Sequence, residues 1–154
     1  MANLKETLIW QLNAAFDEDK GMWADSLLGA IKDVSAEQAA QQPANGEKSI
    51  GEVVNHLTYW KNIITGAFGK EGLEGPSEDW QAVTDEASWK TAVSQLKNSQ
   101  AALMESAQAL DESKLDEKPE AEGWPAFKEV LAGTSAHDLY HTGQIVKLKG
   151  IQGI

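Results

Sequence analysis

The chain has no cysteine. That removes disulfide frameworks, CxxC redox chemistry, iron–sulfur ligation and any cysteine nucleophile. Arginine is absent too: every basic residue is lysine, and the formal net charge is -11. The planar fork that clamps phosphates and carboxylates is therefore missing. So is the basic footprint of a nucleic-acid binder, and anionic membrane surfaces are disfavoured as partners on the same ground. No stretch approaches the roughly 20 apolar residues of a transmembrane helix. The first residues turn acidic before an apolar signal core can form, so the expected location is cytoplasmic. There is no GxxxxGK, GxGxxG, HExxH or GxSxG motif, and no paired ExxH of a four-carboxylate di-iron bundle.

What remains is an ordinary apolar content of 42% in 154 residues, enough for one domain over residues 1–154. Six tryptophans are many for this length. They suit a core, a pocket lining or an interface.

Four long segments carry the helical period. The first covers residues 3–31, where Leu4, Leu8, Leu12, Ala15, Trp23, Leu27 and Ile31 trace one face, with Gly21 and Gly29 as points for a bend or an early end. Ser35 with Gln38 reads as the capping box of a short helix, and Ser49 with Glu52 as that of the second long one. In the latter Ile50, Val53, Val54, Leu57, Trp60, Ile64 and Phe68 form the stripe, and His56 lies beside it. Residues 66–86, rich in glycine and charge, read as a long crossover that Trp80 pins down. The third long helix covers residues 88–110 and the fourth residues 126–149. Regular alternation for a sheet is absent. The expected fold is all-α, a four-helix bundle with a long crossover between helices two and three.

The three histidines of the chain are His56, His137 and His141. His137 and His141 are four apart and share a helix face, at core-type positions where apolar residues are expected. Such a conflict between pattern and residue type marks a functional site. Each imidazole is either a satisfied core histidine or a ligand. Together they suit a divalent ion with open coordination positions, and zinc, nickel, cobalt or iron more than magnesium or calcium. Gly133 and Gly143 flank the pair and would admit a close neighbour.

Helper residues keep two readings each. Glu52 either caps its helix or orients a ligand and accepts a proton. Asp138 turns inward at the stripe edge or is solvated. Tyr59 and Tyr140 donate to a substrate or pack, and Trp60 lines a pocket or fills the core. Gly123-Trp124-Pro125 forms a pocket rim or locks a turn.

SIGEVVNHLTYWKN and AHDLYHTGQIVKLKG, together with the opening LIWQLNAAF, give the chain a resemblance to the DinB/YfiT-like superfamily of metal-binding four-helix proteins. The resemblance covers nearly the whole chain. It implies that His56, His137 and His141 bind one divalent metal (zinc, nickel, iron, cobalt or manganese). It implies a homodimer acting on small molecules. Characterised relatives include S-transferases and isomerases that use bacillithiol, mycothiol or glutathione. The implied function is a metal-dependent transfer of such a thiol to a small electrophile; in that reading Glu52 or a water takes the released proton, and Tyr59, Trp60 and Tyr140 are the residues expected around the cofactor. The alternatives are a metal-dependent hydrolase or a non-catalytic metal or ligand-binding module.

Overall fold

The computed structural model describes residues 3–17, 24–44 and 46–154. Among them the structure is all-helical, with six α-helices and no strand. In chain order they are α1 (Leu4–Phe16), α2 (Leu27–Ile31), α3 (Ala36–Ala40), α4 (Ile50–Ala67), α5 (Glu86–Ala109) and α6 (Phe127–Gln152).

Each start has a local cause. The Asn3 side chain accepts the Glu6 N–H at 2.8 Å, and the Glu6 carboxylate takes the Asn3 N–H at 3.1 Å. Ser49 and Glu52 close the same reciprocal box at the head of α4. Ser35 and Gln38 do so for α3. Asp85 caps α5 through the Ser88 N–H, so that helix begins two residues earlier than its apolar period indicates. At the far end of α6, Gly153 takes the left-handed conformation at φ 76°.

The single helix expected over residues 3–31 is not one element. Asp17 leaves helical geometry with ψ 132° and ends α1. A new helix, α2, starts where the Ser26 hydroxyl accepts the Gly29 N–H. The apolar phase carries across this gap, because Leu8, Leu12 and Ala15 and then Leu27 and Ile31 are all buried. Periodicity alone therefore hides the break. Trp23, Met22 and Gly21 lie outside the described residues. Leu4, expected on the inner face, is exposed.

Two apolar clusters fill the interior. One gathers Phe16, Leu27, Ile31, Val53, Trp89 and Ile145 with their neighbours; the other gathers Leu8, Leu12, Ile64, Leu103, Val130 and Leu131. The second collects the start of α1 and of α6 with the ends of α4 and α5, and the first collects their opposite ends. Lys5 at the head of α1 donates to the Gln108 and Leu110 carbonyls, which α5 leaves unpaired at its C-terminus.

The connection of residues 68–85 is fastened to α4 at its far end. Gly51 makes this approach possible: a Cβ there would lie 2.7 Å from Val83 Cβ and 3.0 Å from the Ala39 carbonyl oxygen. One turn on, the Asn55 amide donates to the Gln81 carbonyl at 2.8 Å. These two contacts set residues 79–83 beside His56. Gly133 and Gly143 have no such purpose, since an added Cβ at either would meet nothing within 4 Å. The close approach expected at those two positions is absent because both lie on the exposed side of α6.

Candidate metal centre

The three histidines meet. His56 comes from α4, and His137 and His141 come from one face of α6. Their ligand atoms all lie within 4.8 Å of one another. His56 Nε2 is 3.3 Å from His137 Nε2, and His141 Nε2 is 3.0 Å from the same atom. For metal–nitrogen bonds of ~2.0–2.1 Å, octahedral to tetrahedral angles put neighbouring ligand nitrogens ~2.8–3.4 Å apart. Both spacings to His137 Nε2 suit one ion.

The proton inventory favours a cation as well. His56 Nδ1 lies 2.6 Å from Asp79 Oδ1, and His141 Nδ1 lies 2.9 Å from Gln144 Oε1. A carboxylate and an amide carbonyl are acceptors, so each Nδ1 carries the hydrogen and each Nε2 presents a lone pair. Both lone pairs point at His137 Nε2, which can donate one hydrogen at most. One contact of the set is therefore left without a proton. A positive ion at the centre satisfies all three nitrogens.

Burial reinforces this. It holds His137 down at about 4, with help from the charges His141, His56 and Lys61 would bring. Burial also lowers His141, against the opposing hydrogen bond to Gln144. Both rings are thus neutral at neutral pH, the form that coordinates metal.

Asp79 and Trp80 complete the surroundings. The Trp80 ring stacks on His56, with centroids 3.7 Å apart and planes 12° from parallel. It is the one non-glycine with positive φ among the described residues, at 61°. That conformation is rare for a bulky side chain. Lys48 Nζ sits 5.6 Å over the same indole. Sequence reasoning assigned Trp80 a fastening role and missed Asp79. Neither has a motif; only the turn fastened by Gly51 and Asn55 brings them to His56.

The remaining candidates fall at different distances from the chemistry. The Glu52 carboxylate accepts the Ser49 N–H and the Gln42 amide at 2.8 Å each, and Lys48 at 3.3 Å. Burial pushes this carboxyl up, but those hydrogen bonds hold it below the usual range. Trp60 is not in the core as its stripe position suggested: it is 38% exposed and lies edge-on to His56 at 6.4 Å. Tyr59 packs edge-on against Trp60 at 6.1 Å. Tyr140 is 72% exposed, with its ring 4.9 Å from His141. Asp138 turns fully inward, away from solvent, and pairs with Lys61. Trp124 packs against the second apolar cluster beside Gly123, whose φ is 87°.

An all-helical chain with three convergent imidazoles from two helices defines a protein that can hold a metal ion. Residues 21–145 match the model of the DinB superfamily, and the chain belongs to that superfamily. No curated protein and no solved structure matches it. No described helix is long and apolar enough to cross a membrane.

Because Asp79 holds the His56 ring through its Nδ1, Asp79→Ala is expected to weaken zinc binding about 10–100-fold, as measured by competition with a chromophoric chelator. Asp79→Asn keeps an acceptor for the Nδ1 hydrogen and should fall between that variant and the parent. Equal affinity in all three would show that the contact is incidental.

Proposed function

We propose that this protein is a divalent-metal-dependent enzyme that transfers a low-molecular-weight thiol onto a small electrophile. The observation that carries the metal part is the convergence of three Nε2 atoms with one proton too few between them. His56, His137 and His141 would hold the ion, and nitrogen-only ligation suits zinc, nickel, iron or cobalt. When bound, such an ion supplies Lewis acidity that lowers the pKa of a thiol or a water.

The chain's own residues supply the rest. Asp79 and Gln144 fix the tautomers of His56 and His141. Trp80 covers one face of His56 and keeps water from it. Trp60, Tyr59 and Tyr140 offer aromatic surface to the electrophile and to the body of the thiol. With no arginine in the chain, Lys48 over Trp80 is the cation offered to a thiol's carboxylate. Asp79, already on His56, is the proposed proton acceptor. Glu52, whose oxygens close the head of α4, is proposed to act one step back by positioning the helix that carries His56.

We further read α1, α4, α5 and α6 as a four-helix bundle in which residues 68–85 cross over between α4 and α5. Support comes from contacts that advance together along both helices: Lys61 meets Gln100, and Lys70 beyond α4 meets Glu105. We also propose a homodimer. The exposed side of α6 from Leu139 onward carries Leu139, Tyr140, Val146 and Ile151 and no acidic residue, on a chain of charge -11. A second copy approaching that stretch meets little charge repulsion. Light scattering that gives the mass of a single chain at micromolar concentration would overturn this part.

The test of the reaction is consumption of free thiol. Zinc-loaded protein is mixed with glutathione, bacillithiol or mycothiol and a chromogenic aryl halide. Thiol loss faster than with zinc alone, and abolished by chelator, supports the reading. Hydrolysis of an activated ester or amide without thiol loss would replace it with a hydrolase. No turnover by fully loaded protein would leave a binding module.

A further inference from the structure

A lysine on an amphipathic helix normally reaches for water. Lys61 does the opposite: it is 1% exposed, in the middle of the helix that carries His56. Its ammonium donates to Asp138 Oδ2 on α6 at 2.6 Å and to Gln100 Oε1 on α5 at 2.8 Å. The Phe16 ring of α1 lies 5.4 Å away, and the Gln100 amide reaches the Leu12 carbonyl of α1 at 3.4 Å. One charge therefore joins all four long helices at a single level.

This cluster is not arranged for greatest stability. Asp138 is 0% exposed, and its second oxygen, Oδ1, has no hydrogen-bond partner. A buried ion pair repays its desolvation only when every lone pair is satisfied, and apolar replacements of similar volume are often as stable or more so. The best-attested use of such a pair is to fix register. Apolar contact is non-directional and lets a helix turn a little about its axis; a short ion pair does not.

What this pair fixes is the helix that carries two of the ligands. Asp138 follows His137 directly and lies one turn before His141. A helix advances ~100° per residue, so even a partial rotation of α6 would swing both imidazoles away from His56. Metal ligation tolerates errors of only about 0.2 Å in ligand distance.

We propose that Lys61, Gln100 and Asp138 are positioning residues of the three-histidine site: their buried contacts clock α6 against α4 so that His137 and His141 face His56. This rests on the reading of the histidines as a metal site.

The test sets affinity against stability. Zinc affinity is measured by chelator competition, and melting of the metal-free protein is followed by circular dichroism. Variants are Lys61→Met/Gln100→Met/Asp138→Leu, which replaces the cluster with apolar groups, and Asp138→Asn, which keeps the hydrogen bond but leaves the ammonium uncompensated. The triple variant is expected to melt at or above the parent while binding zinc about tenfold or more weakly. Asp138→Asn is expected to melt lowest yet bind more tightly than the triple variant. These opposite rankings cannot arise from a merely structural role. A triple variant that binds like the parent overturns the inference, and so does affinity that follows melting temperature across the set. A parent that takes up no zinc overturns the metal reading and this inference together, a result distinct from both.

Discussion

Replacing His56, His137 and His141 together with alanine is expected to abolish metal binding in a protein that still folds. Both halves follow from the packing. Neither apolar cluster includes a histidine. The helices that carry the imidazoles are held by Val53, Leu57, Leu131 and Ile145, so the truncations remove ligands without emptying the core. Helix content by circular dichroism should match the parent, and elemental analysis of untagged protein should find near-stoichiometric metal in the parent and none in the variant. His137→Ala alone should be nearly as severe. Its Nε2 is the atom on which the other two converge, and loss of a direct ligand should exceed the about 10–100-fold typical of losing a supporting hydrogen bond. Stoichiometric metal in the triple variant would move the site elsewhere.

The second large effect is on pH. In the metal-free protein His137 is held at about 4, against 6.5 for an unperturbed imidazole, and His141 is lowered as well. A folded-state value below the unfolded one means the unfolded chain binds more protons in that window. Stability is then complete above about pH 6.5 and declines as pH falls toward about 4, where the folded ring finally takes its proton. Because His137 is only partly buried, the loss is on the order of 1–2 kcal/mol after allowance for solvent screening. Urea midpoints measured from pH 7.5 to pH 4 should show it. The triple alanine variant, which retains all the carboxylates, should lack this share of the decline. Metal affinity should weaken in the same direction, as protons compete for the nitrogens. A parent and a variant with superimposable profiles would contradict the assignment.

How far the sequence could be read depended on whether a feature is written along one helix or across several. His137 and His141 stood out because imidazoles occupied positions that the helical period reserves for apolar groups, and His56 because it lay beside such a stripe. The capping boxes of Asn3, Ser35, Ser49 and Asp85 act within four residues, and the Ser35 and Ser49 boxes could be recognised directly. Lys61 gave no signal, since its partner Asp138 is 77 residues away. An isolated lysine beside a stripe reads as solvated. Asp79 was hidden for a related reason: its position depends on a turn whose path is fixed by the missing Cβ of Gly51. The end of α1 at Phe16 comes earlier than the bend or early end expected at Gly21 or Gly29, because the apolar phase survives it. Trp60 kept two readings because a stripe position says which side of the helix a residue takes, not whether a neighbour covers it.

Trp80 carries a further consequence. Its backbone occupies a region that glycine or asparagine would enter with less strain, while its indole lies on the imidazole of His56. Drift toward a more comfortable turn would strip the cover from the ligand. Natural selection acting on thermal robustness alone would erode this position, so a lineage that retains tryptophan there records pressure from the chemistry of the site.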